Sequence, residues 1–279
     1  MQSNDNTFYS YEPLHFYRKE ENRTDEWYRK GFQLLQDIYK CDFRKLKDFM
    51  SYGESFPHFV FKRNHLLWQA CDEDLDSCLD PEISEKVCRE ANVQLIKEIR
   101  IPLRKLPDLL QFLDDDVTER LKIVYLVRDP RSMINSRKHM GVFDKERYTD
   151  SRVICPDMEL DLKTYEQLKE KMADRIFILK YEDYSLDPVT QITNLFKDMR
   201  VPFSPSVLEF ISRHVSLEHG DKNMEFSKRD RTSGDRITAW VEQMSVKDSI
   251  EVQEHCKPFL EGLNYPVFQR KQIRVMKNK

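Results

Sequence analysis

The stretch RDPRSMINSR, residues 128–137, sets three arginines and two serines close together behind a short apolar run. Such a set binds anions: a guanidinium presents a planar fork of N–H donors that matches phosphate oxygens, and each hydroxyl adds a single donor. Something must hold these groups in place. Residues 122–127, KIVYLV, are nearly all apolar and rich in β-branching, which suits a strand buried on both faces of a parallel sheet. Asp129 then reads as an N-cap and Pro130 as the first helical residue, because proline lacks only an N–H that is orphaned there anyway. A helix therefore opens at the carboxyl end of a strand, where its free N–H groups and dipole favour negative charge and where open α/β sheets bind ligands. The competing reading is a strand followed by a solvated basic helix, with Arg128 in a salt bridge and Ser136 bonded backward to its own helix.

The order of residues in this run resembles the 3′-phosphate-binding motif of sulfotransferases that use 3′-phosphoadenylyl sulfate. The similarity is greatest to the Golgi carbohydrate 6-O-sulfotransferases of the N-acetylglucosamine, galactose and chondroitin type. In that family an arginine at the strand end and a serine eight residues later hold the 3′-phosphate, positions taken here by Arg128 and Ser136. Arg131 and Ser132 are candidates for secondary phosphate contacts. Other patches follow in the same order. FYSYEPL at 8–14 resembles the family's aromatic-Glu-Pro-Leu segment, NVQLIKEIR at 92–100 its next strand, and KYED at 180–183 its Arg-Tyr-Glu-Asp strand end. Ala239-Trp240, HCKP at 255–258 and LNYP at 263–266 are similar to its last helices.

One family element has no counterpart. The loop Arg-x-Gly-Ser-Ser, which wraps the 5′-phosphosulfate just upstream of the aromatic-Glu-Pro segment, is not in these 279 residues. Gly occurs six times and forms no phosphate loop, which argues against a P-loop kinase. RTSG at 231–234 imitates the missing loop in composition but follows no apolar strand, and reads as a turn. The resemblance thus implies a single domain over 1–279, N-terminally incomplete, with a three-layer, mostly parallel α/β sheet of the P-loop-like sulfotransferase type lacking its first strand. It implies sulfuryl transfer to a carbohydrate hydroxyl in the Golgi, without a metal. The alternative is an impaired nucleotide-binding protein that keeps only the 3′-phosphate half-site.

Sulfuryl transfer needs a base for the acceptor hydroxyl, stabilisation of the moving group and a firm hold on the leaving diphosphate. Glu12 is the candidate base, in the place where related sulfotransferases carry a glutamate. Flanked by Tyr11, Pro13 and Leu14, it is expected to sit in a partly apolar cleft that raises its pKa. A glutamate bonded to backbone or arginine is the structural alternative, and His15 and His139 are other bases within the same motifs. Glu182 and Asp183, at the next strand end, are candidates to order the Arg128 loop.

Composition narrows the classes further. With 39% hydrophobic and 11% aromatic residues the chain can bury a core, while 34% charged residues of mixed sign and a net charge of −3 give no basis for nucleic-acid binding. No run approaches the roughly 20 apolar residues of a membrane span, and the polar start is no signal peptide. Six cysteines make an even set without zinc spacing. Cys71 and Cys78 can close a small loop, although spacing alone leaves the pairing open. Helical spacing places Phe32, Leu35 and Ile38, then Phe43, Leu46 and Phe49, on core-facing stripes. Residues 143–158 read as a polar loop, 160–172 and 188–199 as helices, 175–181 as a strand, and 216–236 as a lid or surface loop. The acidic triplet 114–116 lacks metal-ligand spacing and reads as a solvated helix end.

Overall fold

A computed structural model of the chain describes residues 3–19, 23–140, 148–215 and 233–277. Among the described residues helices alternate with four strands: β1 (Thr7–Tyr11), β2 (Val93–Lys97), β3 (Ile123–Val127) and β4 (Ile176–Lys180). Every strand pair is parallel, as an α/β fold requires, and the strands pair two and two: β1 with β2, and β3 with β4. Contacts divide the chain into two compact units, Met1–Leu121 with Phe203–Val207, and Lys122–Pro202 with Leu208–Lys279.

In the first unit, Tyr9 aligns with Leu95 and the ladder runs one residue past β1, where the Glu12 N–H donates to the Lys97 carbonyl at 2.8 Å. Pro13 then ends the strand and starts the 3-10 turn Pro13–Tyr17. The long helix Asp25–Tyr39, capped by the Thr24 hydroxyl, buries Phe32, Leu35 and Ile38 as their spacing predicts. Phe43, Leu46 and Phe49 are buried too, although a 3-10 turn and the helix Lys47–Ser55 share them. Disulfides Cys41–Cys88 and Cys71–Cys78 cross-link the helices packed around this core. Gly53 lets the Phe61 ring approach its helix closely, since a Cβ there sits 2.2 Å from a ring carbon. The acidic triplet both follows one helix and begins the next, with Asp114 paired to Lys40.

In the second unit β3 and β4 align Val127 with Lys180, so both strands reach their carboxyl ends together. The expected burial of β3 on both faces does not hold: Leu126 is 60% exposed and only Val127 is buried. A two-stranded ribbon has too few neighbours to cover both faces. Of the polar loop expected at 143–158, residues 143–147 lie outside the described residues and most of the rest is helical. A helix starts at Ser151, where Asp150 accepts from the Arg152 N–H, and continues through Pro156 to Lys171. The disulfide Cys155–Cys256 ties this helix to the C-terminal helices. Of the stretch 216–236 read as a lid or surface loop, residues 216–232 lie outside the described residues, Arg231 and Thr232 of the RTSG run among them, and Ser233 and Gly234 open the helix Ser233–Gln243 rather than a turn. Among the described residues no helix is long and apolar enough to cross a membrane.

Candidate functional site

The predicted strand–turn–helix is present. β3 ends at Val127, and the helix Pro130–Met140 follows after two residues. Asp129 caps it, accepting from the Arg131 N–H at 2.8 Å, and its own carbonyl takes the Met133 N–H at 2.9 Å. Arg128 leaves the strand end with its guanidinium 4.3 Å from the Tyr181 ring centroid and donates to the Ser132 hydroxyl at 2.8 Å. Ser136 lies four residues beyond Ser132, on the same helix face one turn along. No hydrogen bond within the described residues engages the half-buried Ser136 hydroxyl, so the backward bond of the structural alternative is not made. Arg128, Ser132 and Ser136 thus form one row leading from the strand end along the helix.

Arg131 points elsewhere. It is fully buried, paired to Asp129 through Nε (2.9 Å) and a terminal nitrogen (2.6 Å), bonded to the Gln253 side-chain carbonyl at 2.6 Å and stacked 4.3 Å from the Trp240 ring centroid. The structure turns it into the core instead of beside Arg128. Its effect is on the turn, since it fixes the carboxylate that caps the helix. Glu182 braces the same turn from the end of β4: one carboxylate oxygen accepts from the Asp129 N–H (3.0 Å), the other from the Tyr265 hydroxyl (2.7 Å). Burial, then the Glu182 charge, push the Tyr265 phenol far above its ordinary pKa, so it remains a donor. Arg137 donates to the Tyr148 carbonyl at 3.3 Å, and burial draws its pKa down. His139 turns back to the Asn135 carbonyl, 2.7 Å away.

Glu12 belongs to the first unit. It is 6% exposed and takes a left-handed backbone conformation, φ 47° and ψ 55°, as the chain leaves β1. Its two oxygens accept from Lys97 Nζ (2.7 Å) and from Arg100 (2.9 Å). The expected rise in pKa is reversed. Burial does push the carboxyl up, but hydrogen bonds and charge from Lys97 and Arg100 outweigh it and hold the group below the ordinary carboxylate range. His15, one turn on, stacks on Phe59 with ring centroids 3.7 Å apart, and its Nδ1 lies 2.5 Å from the Tyr52 hydroxyl. Burial, then Arg100 and Arg18, lower its pKa to about 4, so the imidazole is neutral at physiological pH.

Sequence reasoning singled out Glu182 but not its partner Tyr265, nor Gln253, which lies 122 positions from Arg131. It passed over the aromatic and basic run 56–63, FPHFVFKR, whose alternation of rings and cations was the available signal. Among the described residues no group of His, Cys, Asp and Glu side chains is arranged to hold a metal ion.

Residues 65–269 match the family model described as a sulfotransferase domain, a span that runs through both units. The chain is 25% identical over 203 residues to carbohydrate sulfotransferase 4 of Mus musculus, covering 66% of this chain and 51% of that protein. It is 23% identical over 202 residues to carbohydrate sulfotransferase 3 of Tetronarce californica (67% and 45%) and 22% over 223 residues to the Homo sapiens protein of that name (74% and 44%). The chain spans about half the length of these relatives. A solved sulfotransferase domain from the curacin biosynthetic pathway aligns over 72% of this chain and 78% of its own at 16% identity, with a TM-score of 0.41. The family match covers well over half of the residues, and the chain belongs to the sulfotransferase domain family.

Proposed function

We propose that this chain moves a sulfuryl group from 3′-phosphoadenylyl sulfate to a carbohydrate hydroxyl, O6 of N-acetylglucosamine, galactose or N-acetylgalactosamine. The observation that carries this reading is the row Arg128–Ser132–Ser136 at the mouth of a capped helix, within a chain of this family. In it the donor's 3′-phosphate takes the Arg128 guanidinium and the Ser132 and Ser136 hydroxyls, while Arg131 and Glu182 keep Asp129, and with it the turn, in place. The acceptor oxygen attacks sulfur, the bond from sulfur to the phosphate oxygen breaks, and adenosine 3′,5′-diphosphate departs with that electron pair. Glu12 takes the hydroxyl proton. Lys97 and Arg100 keep it as the carboxylate a base must be, and they also weaken it as a base.

Residues 1–279 are read as one catalytic domain, since the family match runs through both units. A Golgi location fits three disulfides, which persist in oxidising compartments. The test is calorimetric titration of the full chain with adenosine 3′,5′-diphosphate, beside transfer of label from radioactive donor to glycan acceptors. Arg128→Ala should weaken diphosphate binding by about 1.5–3 kcal/mol through loss of a charge-assisted contact. Unchanged binding with an intact circular dichroism spectrum removes Arg128 from the site. Absence of any binding by the parent chain removes the donor.

A further inference from the structure

Among the described residues near Glu12 in the first unit, cations outnumber carboxylates. Arg18, Arg63, Lys97 and Arg100 stand against Glu12 and Glu98. Glu12 is shared by Lys97 and Arg100. Glu98 accepts from the backbone N–H groups of Leu14, Ile99 and Arg100 and lies 3.8 Å from the Arg100 guanidinium. Neither Arg18 nor Arg63 has a carboxylate partner among the described residues. Each is mounted on an aromatic ring: Arg63 lies 3.7 Å from the Tyr11 centroid, and Arg18 lies 4.0 Å from that of Phe56.

The rings between them form a continuous row. Phe56 meets His15 edge-on at 5.6 Å, His15 stacks on Phe59 at 3.7 Å, and Phe59 meets Tyr11 at 5.4 Å. All of these rings, and both arginines, are half-buried. Lys97 adds a second cation on Tyr11, 4.4 Å from its centroid. These rings spend faces on one another and on the cations, so stacking is not the chemistry the row has left to offer. What remains is the forked N–H edge of each guanidinium, held over its ring and without a carboxylate partner among the described residues. His15 is neutral and supplies no competing charge. Arg18 gives one donor to the Tyr52 hydroxyl at 2.8 Å, and among the described residues no hydrogen bond engages the Arg63 guanidinium.

We propose that Arg63 and Arg18, at the two ends of this ring row and with Lys97 beside Arg63 on Tyr11, form an anion-reading subsite for the acceptor, taking a carboxylate or sulfate ester of a glycan held beside Glu12. This rests on reading Glu12 as the residue that meets the acceptor hydroxyl. Charge complementarity selects the occupant: a neutral oligosaccharide leaves two ring-mounted guanidiniums unmatched, and an acidic one satisfies them.

The full chain is titrated with three probes: unsulfated chondroitin hexasaccharide, its carboxyl-reduced neutral form, and a keratan sulfate tetrasaccharide that carries sulfate without carboxylate. At least one anionic probe should bind about tenfold more tightly than the neutral form and weaken as salt rises. The chondroitin and keratan arms separate carboxylate from sulfate recognition. Arg63→Gln and Arg18→Gln should each cost several-fold to tenfold in that affinity, while Arg63→Lys retains most of it. Adenosine 3′,5′-diphosphate binding should not change in any of these variants. Equal affinity for the neutral probe, no binding of any glycan, or unchanged affinity in both glutamine variants with an intact circular dichroism spectrum overturns the proposal. So does a loss of diphosphate affinity in Arg63→Gln, which assigns these cations to the donor instead. If the parent chain binds the acidic glycan but no diphosphate, the donor reading fails and this subsite stands.

Discussion

Single side chains here take their chemistry from partners far along the chain. Glu12 is ionised because Lys97 and Arg100, 85 and 88 positions away, approach both its oxygens, and nothing near Glu12 in sequence announces them. A carboxylate between an aromatic residue and a proline reads locally as a desolvated acid, so the reversed sign follows from tertiary pairing. His15 shows the opposite electrostatic outcome in the same neighbourhood. Its folded pKa of about 4 lies below the ordinary value near 6.5, so between those values the unfolded chain binds more protons than the folded one. The stability it contributes is present above about pH 6.5 and is lost as pH falls through 4. Denaturant titrations at pH 7.5, 5.5 and 4.5 should show His15→Gln flattening that decline relative to the parent chain.

The element most legible in advance was the β3 turn, because every signal for it is local. An apolar run, an Asp-Pro start and serines at helical spacing suffice to set a strand, a cap and one helix face. Burial of β3 and the direction of Arg131 were not legible, since both depend on which other strands and helices arrive. Leu126 is exposed because nothing among the described residues covers its face of the two-stranded sheet, and Arg131 turns inward because Gln253 and Trp240 receive it. The helix at Ser151 was hidden by Pro156, a residue that ordinarily ends helices. The brace on the turn can be tested by itself. Glu182→Gln leaves one acceptor for two donors, Asp129 N–H and Tyr265 O–H, and should cost about 1–2 kcal/mol in denaturant unfolding. Binding of adenosine 3′,5′-diphosphate should weaken in parallel, several-fold, although Glu182 lies in the supporting turn and not in the Arg128 row.

At the scale of the molecule, each unit has its own covalent closure. An even cysteine count was compatible with pairing, and spacing offered Cys71 with Cys78 as one small loop while leaving the connectivity open. The other two bonds join residues 47 and 101 positions apart, beyond the reach of local reasoning. In the loop-entropy view, closing the 101-residue loop stabilises by about 5 kcal/mol and the 7-residue loop by about 2 kcal/mol. The paired replacement Cys155→Ala with Cys256→Ala should therefore lower the unfolding free energy of the second unit more than Cys71→Ala with Cys78→Ala lowers that of the first. Hydrogen exchange resolved by segment separates the two units in one experiment.

Glu12 also says something about selection at its position. In the left-handed region a side chain costs about 1 kcal/mol relative to glycine, so a sequence tuned for backbone comfort alone carries Gly where the chain leaves β1. Glu12→Gly is accordingly expected to unfold at higher denaturant than Glu12→Ala, although both lose the same ion pairs. Keeping a glutamate in a glycine's conformation marks that carboxylate as a side chain retained against the preference of its own backbone.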